Sequence, residues 1–324
     1  MTEPIMQIKS LKTFFPVGKK DGVMRYVKAV DDVTLAINPG EIIGLVGESG
    51  SGKSTIAYTI IGMYKPTSGD IIYNGKSLYA GVRKRSLKLK RDIQIVFQDP
   101  GSSLNAQQSV KEILELPLKV HDICPDKKSM ERKVGELLDM VELPHHYMYK
   151  SPLSMGGGER QMIAIARALA TDPRFIILDE PTSALDVSIQ AKIINMLLRL
   201  QKEKGLTYLF ITHDLSLMRN IATRVAILYL GKIAEVAPTN VFFQTPQHPY
   251  TQMLLSAIPV ISEAEESMKP AEVESIGEIP SPVDVPPGCS FHMRCHRCLE
   301  QCDKIDPEMH VLDEQHLVRC RLFD

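Results

Sequence analysis

Four short apolar runs, each bounded by turn-forming residues, dominate the hydrophobic pattern of the chain. They cover residues 41–46, 175–178, 207–211 and 225–229. Uninterrupted apolar runs of this length are typical of strands that are buried on both faces of a parallel sheet. Residues 53–63 and 188–202 instead repeat apolar positions at helical spacing. The alternation of strand and helix predicts an α/β fold in which helices cover a parallel sheet.

The strand pattern is absent from about residues 102–170, where segments such as SVKEILELPLKV and MERKVGELLDMVEL are amphipathic at helical spacing. We interpret this region as a helical insert within a large domain that spans residues 1–260. A proline-rich stretch, EIPSPVDVPPG at residues 278–288, is typical of an extended linker. It leads to a cysteine-rich end, so we expect a small C-terminal module at residues 261–324.

Composition and charge narrow the classes of function. With 324 residues, of which 44% are hydrophobic, the chain is long enough to bury a substantial core. Its formal net charge of -1 argues against a general nucleic-acid binder, which usually presents a strongly basic face. The sequence has no apolar run long enough to span a bilayer, and its start lacks the layout of a secretory signal. We therefore expect a cytoplasmic location and no nucleic-acid partner.

A glycine-rich phosphate-binding motif follows the first apolar run and opens the predicted helix after it. It consists of Gly47, Glu48, Ser49, Gly50, Ser51, Gly52, Lys53, Ser54 and Thr55. In such a loop the backbone N–H groups surround phosphate oxygens at the N-terminus of a helix. Lys53 would reach the terminal phosphates, and the Ser54 hydroxyl would bind Mg²⁺. An ordinary glycine turn would not be expected to place lysine and serine at the helix start.

Two acidic residues, Asp179 and Glu180, end the apolar run at residues 175–178. Asp179 would hold Mg²⁺, and Glu180 would act as the general base that polarises the attacking water. The alternative is a strand that merely ends in acidic surface residues. The phosphate-binding motif upstream favours the catalytic interpretation.

Four further features of the chain resemble the ATP-binding cassette (ABC) ATPases. They are VFQDP with Gln98, GGGERQMIAIARALA from Gly156, SALD at residues 183–186, and ITHD with His213. The resemblance implies a P-loop NTPase fold with a RecA-like core, an antiparallel β subdomain and a helical insert. It also implies that Gln98 senses and binds Mg²⁺ and that His213 contacts the terminal phosphate during catalysis.

The same resemblance implies a sandwich of two ATP-binding subunits in which each subunit caps the nucleotide of the other. The capping residues would be Gly156, Gly157, Gly158, Glu159 and Asp186, and residues 183–186 would cross the interface. The family signature has a serine where this chain has Gly156, while Ser154 lies two residues too early. Either the loop bulges to bring Ser154 back, or the subunit offers only backbone N–H groups.

In this family an aromatic ring upstream of the phosphate-binding motif commonly stacks on adenine. Tyr26 is the candidate in this chain, although the sequence does not distinguish it from Phe14 or Phe15 as the stacking residue. Packing of these rings in the core is an equal alternative. We keep Tyr26 as a hypothesis.

The C-terminal part resembles a narrower group, the ATP-binding subunits of dipeptide and oligopeptide importers. The segments QHPYTQMLLSAIP at residues 247–259 and GCSFHMRC from Gly288 carry this resemblance. It implies ATP hydrolysis that drives peptide uptake at the cytoplasmic face of the membrane. The implied partners are two transmembrane permease subunits, a second identical or different ATP-binding subunit, and an extracellular solute-binding protein. Related importers carry oligosaccharides or nickel, and a weakly hydrolytic regulatory subunit is a further alternative.

Five of the six cysteines lie in the C-terminal end of the chain. In a reducing compartment such a cluster is more typical of a metal site than of disulfides. The resemblance implies that Cys289, Cys295, Cys302 and Cys320 hold a 4Fe-4S cluster, with Cys298 as an extra thiol. Four thiolates also suit tetrahedral Zn²⁺, and metal-free thiols are the remaining alternative.

Overall fold

The computed structural model describes residues 3–79, 85–258, 273 and 277–324. Its strands are β1 (Met6–Lys20), β2 (Val23–Ile37), β3 (Ile42–Val46), β4 (Ser68–Tyr73), β5 (Lys76–Ser77), β6 (Ile93–Val96), β7 (Phe175–Asp179), β8 (Thr207–Thr212), β9 (Arg224–Tyr229), β10 (Lys232–Pro238), β11 (His310–Asp313) and β12 (His316–Val318). Its α-helices are α1 (Lys53–Ile61), α2 (Leu87–Asp92), α3 (Pro100–Ser103), α4 (Val110–Val120), α5 (Lys127–Met140), α6 (Gly157–Leu169), α7 (Val187–Lys204), α8 (Leu215–Ile221), α9 (Thr239–Gln244) and α10 (Pro249–Ser256). Within the described ranges, no helix combines the length and apolar character that crossing a bilayer requires.

The four predicted strands are confirmed as β3, β7, β8 and β9, and the two predicted helices as α1 and α7. Every residue of these four strands is buried, which explains why their sequences are apolar without alternation. Helix α1 ends before residue 63 because Gly62 adopts a left-handed φ of 85° and closes the helix.

The chain divides into two compact units, which we call the first and the second unit. The first comprises Met1–Gly81 and Ile211–Asp324, and the second comprises Val82–Phe210. The first unit contains an antiparallel sheet of order β2-β1-β4-β5, as the predicted antiparallel β subdomain requires. It also contains the strand order β11-β12-β10-β9-β3, in which β3 and β9 are parallel. The C-terminal strands extend this sheet, because Val318 of β12 lies opposite Glu235 of β10.

In the second unit, β6 and β7 run parallel, and helices α4 to α6 lie between them in the chain. Helix α4 begins with a capping box formed by Ser109 and Glu112, and the side chain of Asp126 caps α5. Helix α7 begins at the cap residue Asp186 and ends at Gly205, which has a left-handed φ of 61°. The caps explain where the amphipathic segments start and stop.

Candidate nucleotide site

The phosphate-binding loop joins β3 to α1 in the first unit, and its glycines are required by close backbone contacts. A Cβ atom on Gly47 would lie 2.2 Å from the carbonyl oxygen of Leu228. Gly52 has a φ of +109°, and its Cβ would lie 1.9 Å from the carbonyl oxygen of Ala29. No other residue fits these two positions without moving the backbone.

Lys53 lies inside this loop and is only 6% exposed. Its Nζ donates hydrogen bonds to the carbonyl oxygens of Gly47, at 2.7 Å, and Glu48, at 3.0 Å. Helix α1 begins at Lys53, and its N-cap residue, Gly52, has no side chain that could cap the helix. The first N–H groups of α1, with Ser54 and Thr55 in its first turn, therefore form a candidate anion site beside a buried cation.

The carboxylate of Glu48 has two partners that our sequence analysis missed. Arg294 Nη1 donates to Glu48 Oε2 at 2.8 Å, and the Tyr250 hydroxyl donates to the same oxygen at 3.1 Å. Both residues lie in the segments QHPYTQ and GCSFHMRC, which carried the subfamily resemblance. The segments were visible in the sequence, but their contact with the loop was not.

Gln98 and Glu180 meet in the second unit because β6 and β7 run parallel in register. Val96 lies opposite Leu178, so the residues that follow the two strands emerge at the same edge. Gln98 Nε2 donates a hydrogen bond to Glu180 Oε2 at 3.0 Å. This contact joins two of the three predicted catalytic residues.

Asp179 and Glu180 have different environments although they are adjacent. Asp179 ends β7 and has no exposed surface. Glu180 has a φ of +46°, a left-handed conformation that costs a residue other than glycine about 1–3 kcal/mol. The turn directs the Glu180 side chain to Gln98, and such strain is frequent at functional sites.

Gly156 precedes α6 as its N-cap residue, with a backbone conformation that any residue can adopt. Glu159 Oε2 accepts a hydrogen bond from the Gly156 N–H at 2.8 Å, and Oε1 accepts one from the Tyr147 hydroxyl. These bonds, led by that from Tyr147, lower the pKa of Glu159 below its ordinary value. Glu159 is therefore a fixed anion at the start of α6.

The Ser154 hydroxyl has a hydrogen-bond partner within its own turn. Ser154 lies in a 3₁₀ turn, Pro152–Ser154, and its hydroxyl donates to the carbonyl oxygen of Ser151 at 2.8 Å. The N-terminus of α6 thus presents backbone N–H groups from Gly157 and Gly158, and Gly158 also permits α6 to approach Ile189 of α7.

Asp186 caps helix α7. Its carboxylate accepts hydrogen bonds from the Ser188 hydroxyl at 2.6 Å and the Ile189 N–H at 3.0 Å. The bond from Ser188 is the main cause that lowers the pKa of Asp186. Ser183 donates from its hydroxyl to the carbonyl oxygen of Glu180 at 3.3 Å. The segment 183–186 therefore connects the turn at Glu180 to the start of α7.

His213 and Tyr26 both lie in the first unit. His213 is exposed in the bend between β8 and α8. Tyr26 lies on β2 opposite Pro16 and is 44% exposed. These positions leave both side chains accessible, and their contacts with nucleotide stay predictions.

In the cysteine-rich end, the thiol of Cys289 lies near the thiols of Cys295, Cys302 and Cys320. Burial, reinforced by nearby thiols that include Cys302 and Cys320, raises the pKa of Cys289 to about 12 and that of Cys295 to about 11. Burial also raises the pKa of Cys320. Among the residues that the structure describes, no three His, Cys, Asp or Glu side chains are arranged to hold a metal ion.

Two family models match most of the chain. Residues 30–183 match the model described as ABC transporter, and residues 234–302 match that described as oligopeptide/dipeptide transporter, C-terminal region. A third, described as AAA domain, putative AbiEii toxin, matches residues 150–219 and overlaps the first.

Known proteins resemble this chain over nearly its whole length. The putative oligopeptide transport ATP-binding protein YkfD of Bacillus subtilis is 43% identical over 99% of this chain and 96% of its own. The oligopeptide transport ATP-binding protein AppF of the same organism is 42% identical over 99% and 98%. Among solved structures, the dimeric ATP-binding cassette MJ0796 bound to ADP and Pi has a TM-score of 0.64 at 30% identity, over 72% of this chain and 98% of that one. The cassette fold is thereby confirmed.

Proposed function

Since this chain belongs to the ABC transporter ATP-binding proteins of the oligopeptide and dipeptide transport family, we propose that it hydrolyses MgATP to drive the uptake of short peptides. The observation that carries the hydrolytic part is the hydrogen bond from Gln98 to Glu180, which orients a carboxylate at the end of a buried strand. The choice of peptide rests on the names of the relatives and on the C-terminal match.

Each residue of the site has one chemical task in this proposal. Glu180 accepts the proton of the attacking water as general base, and Gln98 holds the Glu180 carboxylate in place. Lys53, His213 and the N–H groups of the loop stabilise the charge on the terminal phosphate.

The residues assigned to Mg²⁺ fit that ion by their chemistry. The Asp179 carboxylate, the Ser54 hydroxyl and the Gln98 side-chain carbonyl are hard oxygen donors, which Mg²⁺ prefers. Magnesium, when bound, neutralises the phosphate charge that develops during the reaction.

The proposal includes partners and a location. The subunit would work at the cytoplasmic face of the membrane with two transmembrane permease subunits and an extracellular solute-binding protein. It would form a sandwich with a second ATP-binding subunit, and Gly156–Glu159 and Asp186 would cap the nucleotide of that partner. Tyr26 would stack on the adenine.

The test combines hydrolysis with transport. Glu180→Gln in the full chain is expected to lower the turnover of MgATP by at least about 100-fold while it leaves ATP binding intact, because the base is lost but the phosphate loop is not. Glu136→Gln on the exposed surface of α5 is the matched control. Cells that express the whole transporter with Glu180→Gln should lose uptake of labelled di- and tripeptides. Unchanged turnover would exclude Glu180 as the base, and peptide uptake unaffected by the variant would exclude this transport role.

We further propose that Cys289, Cys295, Cys302 and Cys320 hold a 4Fe-4S cluster. The donor set supports this, because the Cys289 thiol lies near the thiols of Cys295, Cys302 and Cys320, and thiolates are the usual ligands of such clusters. The same donors would accept Zn²⁺. Anaerobic purification followed by an absorption spectrum and analysis of iron, sulfide and zinc separates the two. Protein that contains neither metal would contradict both.

A second candidate, a weakly hydrolytic regulatory subunit, is favoured by one observation. The hydroxyl of Ser154 donates to the carbonyl oxygen of Ser151, so it is engaged within its own turn and does not replace the hydroxyl that Gly156 lacks. Loss of one hydrogen bond to a charged phosphate costs about 1.5–3 kcal/mol. A slow but measurable turnover that Gly156→Ser accelerates would support this candidate.

A further inference from the structure

The phosphate-binding loop carries a carboxylate, Glu48, whose charge opposes the binding of a polyphosphate. Glu48 directly follows Gly47, and its side chain is 23% exposed. An unpaired carboxylate in a loop that binds a nucleotide would repel it, since like charges at short range are costly in a partly buried site. The charge of Glu48 must therefore be balanced within the protein.

Arg294 supplies this balance from the cysteine-rich segment. Its two terminal nitrogens contact the two carboxylate oxygens of Glu48, at 2.8 Å and 3.1 Å, in the bidentate geometry that suits guanidinium and carboxylate. Only 5% of the Arg294 side chain is exposed. The 3₁₀ turn His292–Arg294, which directly precedes Cys295, holds the guanidinium in this position.

Tyr250 at the start of α10 completes the arrangement. Its hydroxyl donates to Glu48 Oε2 and accepts the backbone N–H of Glu48 at 3.3 Å, so it fixes both the side chain and the loop backbone. The Tyr250 ring packs against Tyr229, with centroids 4.6 Å apart, and against Phe291 of the cysteine-rich segment, at 5.2 Å. Burial raises the pKa of Tyr250, so its hydroxyl keeps the proton that it donates.

We propose that Arg294 and Tyr250 are positioning residues of the nucleotide site, and that the C-terminal segment thereby adjusts the charge and conformation of the phosphate-binding loop. They act through Glu48 and need not touch the nucleotide. This role extends the proposed function and rests on it, because it requires that the loop bind ATP. It gives the C-terminal segment a role in nucleotide affinity in addition to any metal that it holds.

The test measures the dissociation constant of the full chain for the magnesium complex of a non-hydrolysable ATP analogue by calorimetry. Arg294→Gln is expected to weaken binding about tenfold, which corresponds to about 1.4 kcal/mol. Steady-state kinetics should show the loss in KM, with kcat changed less than about twofold, because the repulsion by an unpaired Glu48 acts on a triphosphate that is charged in the ground state as well as in the transition state. Tyr250→Phe, which keeps the ring packing, should weaken binding about threefold.

A second substitution distinguishes charge balance from general damage. In Arg294→Gln/Glu48→Gln the repulsive charge is gone, so affinity should return to within about threefold of the wild type. Damage to packing would instead make the double variant as weak as the single one, or weaker. That result would overturn the proposal.

Arg319→Gln is the matched control. Arg319 joins the same C-terminal segment to Asp32 of β2, at 3.0 Å, and directly precedes Cys320, but it does not contact the loop. The affinity of Arg319→Gln for the ATP analogue should match that of the wild type. A loss of affinity as large as that of Arg294→Gln would overturn a direct action through Glu48. The proposal would also be overturned if folded Arg294→Gln bound the analogue with wild-type affinity. If that variant does not fold, wild-type affinity in Tyr250→Phe would overturn it. A wild-type chain that binds no nucleotide would instead refute the proposed function itself.

Discussion

Each of the two units positions its own predicted nucleotide-binding residues in a different way. In the first, consecutive residues of one loop provide the N–H groups and Lys53, while the charge of Glu48 is balanced by Arg294, 246 residues away. In the second, Gln98 and Glu180 are 82 residues apart, and parallel strand pairing brings them together. A local motif thus contains a carboxylate that is paired by a distant residue, whereas two residues far apart in the chain meet through regular strand geometry.

Gly52→Ala is expected to have the largest effect on nucleotide binding, because the loop of the first unit packs closely against Ala29 at this position. Its Cβ would lie 1.9 Å from the Ala29 carbonyl oxygen at a φ of +109°. The loop must move, so the affinity for MgATP should fall more than about 100-fold. Gly205→Ala is the control, since it has a φ of +61° but no atom near its Cβ. It should cost about 1 kcal/mol of stability and no affinity. Equal ATP affinity in Gly52→Ala and wild type would show that the loop tolerates displacement.

Gln98→Ala tests the contact that parallel pairing creates in the second unit. Without the 3.0 Å hydrogen bond the Glu180 carboxylate loses its orientation. The turnover of MgATP should therefore fall about 10–100-fold, with a smaller change in KM. The control is Gln94→Ala on β6, whose amide donates only to the carbonyl oxygen of Lys90. A rate for Gln98→Ala equal to that of Gln94→Ala would remove Gln98 from the mechanism.

Acid should lower the free energy of unfolding of the first unit through His248, the N-cap residue of helix α10, which carries Tyr250. Burial lowers the pKa of His248 from 6.5 to about 4, so the unfolded chain binds the extra proton between these values. The free energy of unfolding should therefore fall by about 2 kcal/mol as the pH decreases from 6.5 to 4.5. Urea unfolding of wild type and His248→Gln across this range measures the effect, and the variant should lose less stability. His146→Gln, on the exposed surface of the second unit, is the control for a histidine substitution outside this packing.

Gly156→Ser should give the smallest effect. An added Cβ would meet only Glu159 Oε2, at 3.8 Å, so serine fits at this N-cap. The hydroxyl is expected to raise stability by a few tenths of a kcal/mol. In the assembled transporter it should increase ATP turnover several-fold, less than the full bond of about 1.5–3 kcal/mol would give, because only the part gained in the transition state raises turnover. Gly156→Ala supplies the same Cβ without the hydroxyl, and an equal turnover in both variants would show that the missing hydroxyl is not what limits the site.

The sequence alone indicated four strands of the parallel sheet, helices α1 and α7, and candidate residues for catalysis. The apolar runs at β3 and β7 are buried on both faces, so their pattern identified them without tertiary information. It did not indicate the left-handed turn at Glu180 or the position of the Ser154 hydroxyl. Those features depend on how a short loop meets its neighbours, and residue type alone restricts such loops weakly.

The sequence by itself therefore determined the cassette fold and the loop that binds phosphate, because the spacing of glycines, lysine and apolar residues is a local property with a local cause. Only the tertiary structure showed that Arg294 and Tyr250 contact Glu48 of this loop. The proline-rich linker marks the C-terminal segment as separate, yet β12 pairs with β10 and carries the segment back to the first unit. Contacts between residues far apart in the chain depend on strand pairing and on the packing of buried rings, neither of which a linear pattern specifies.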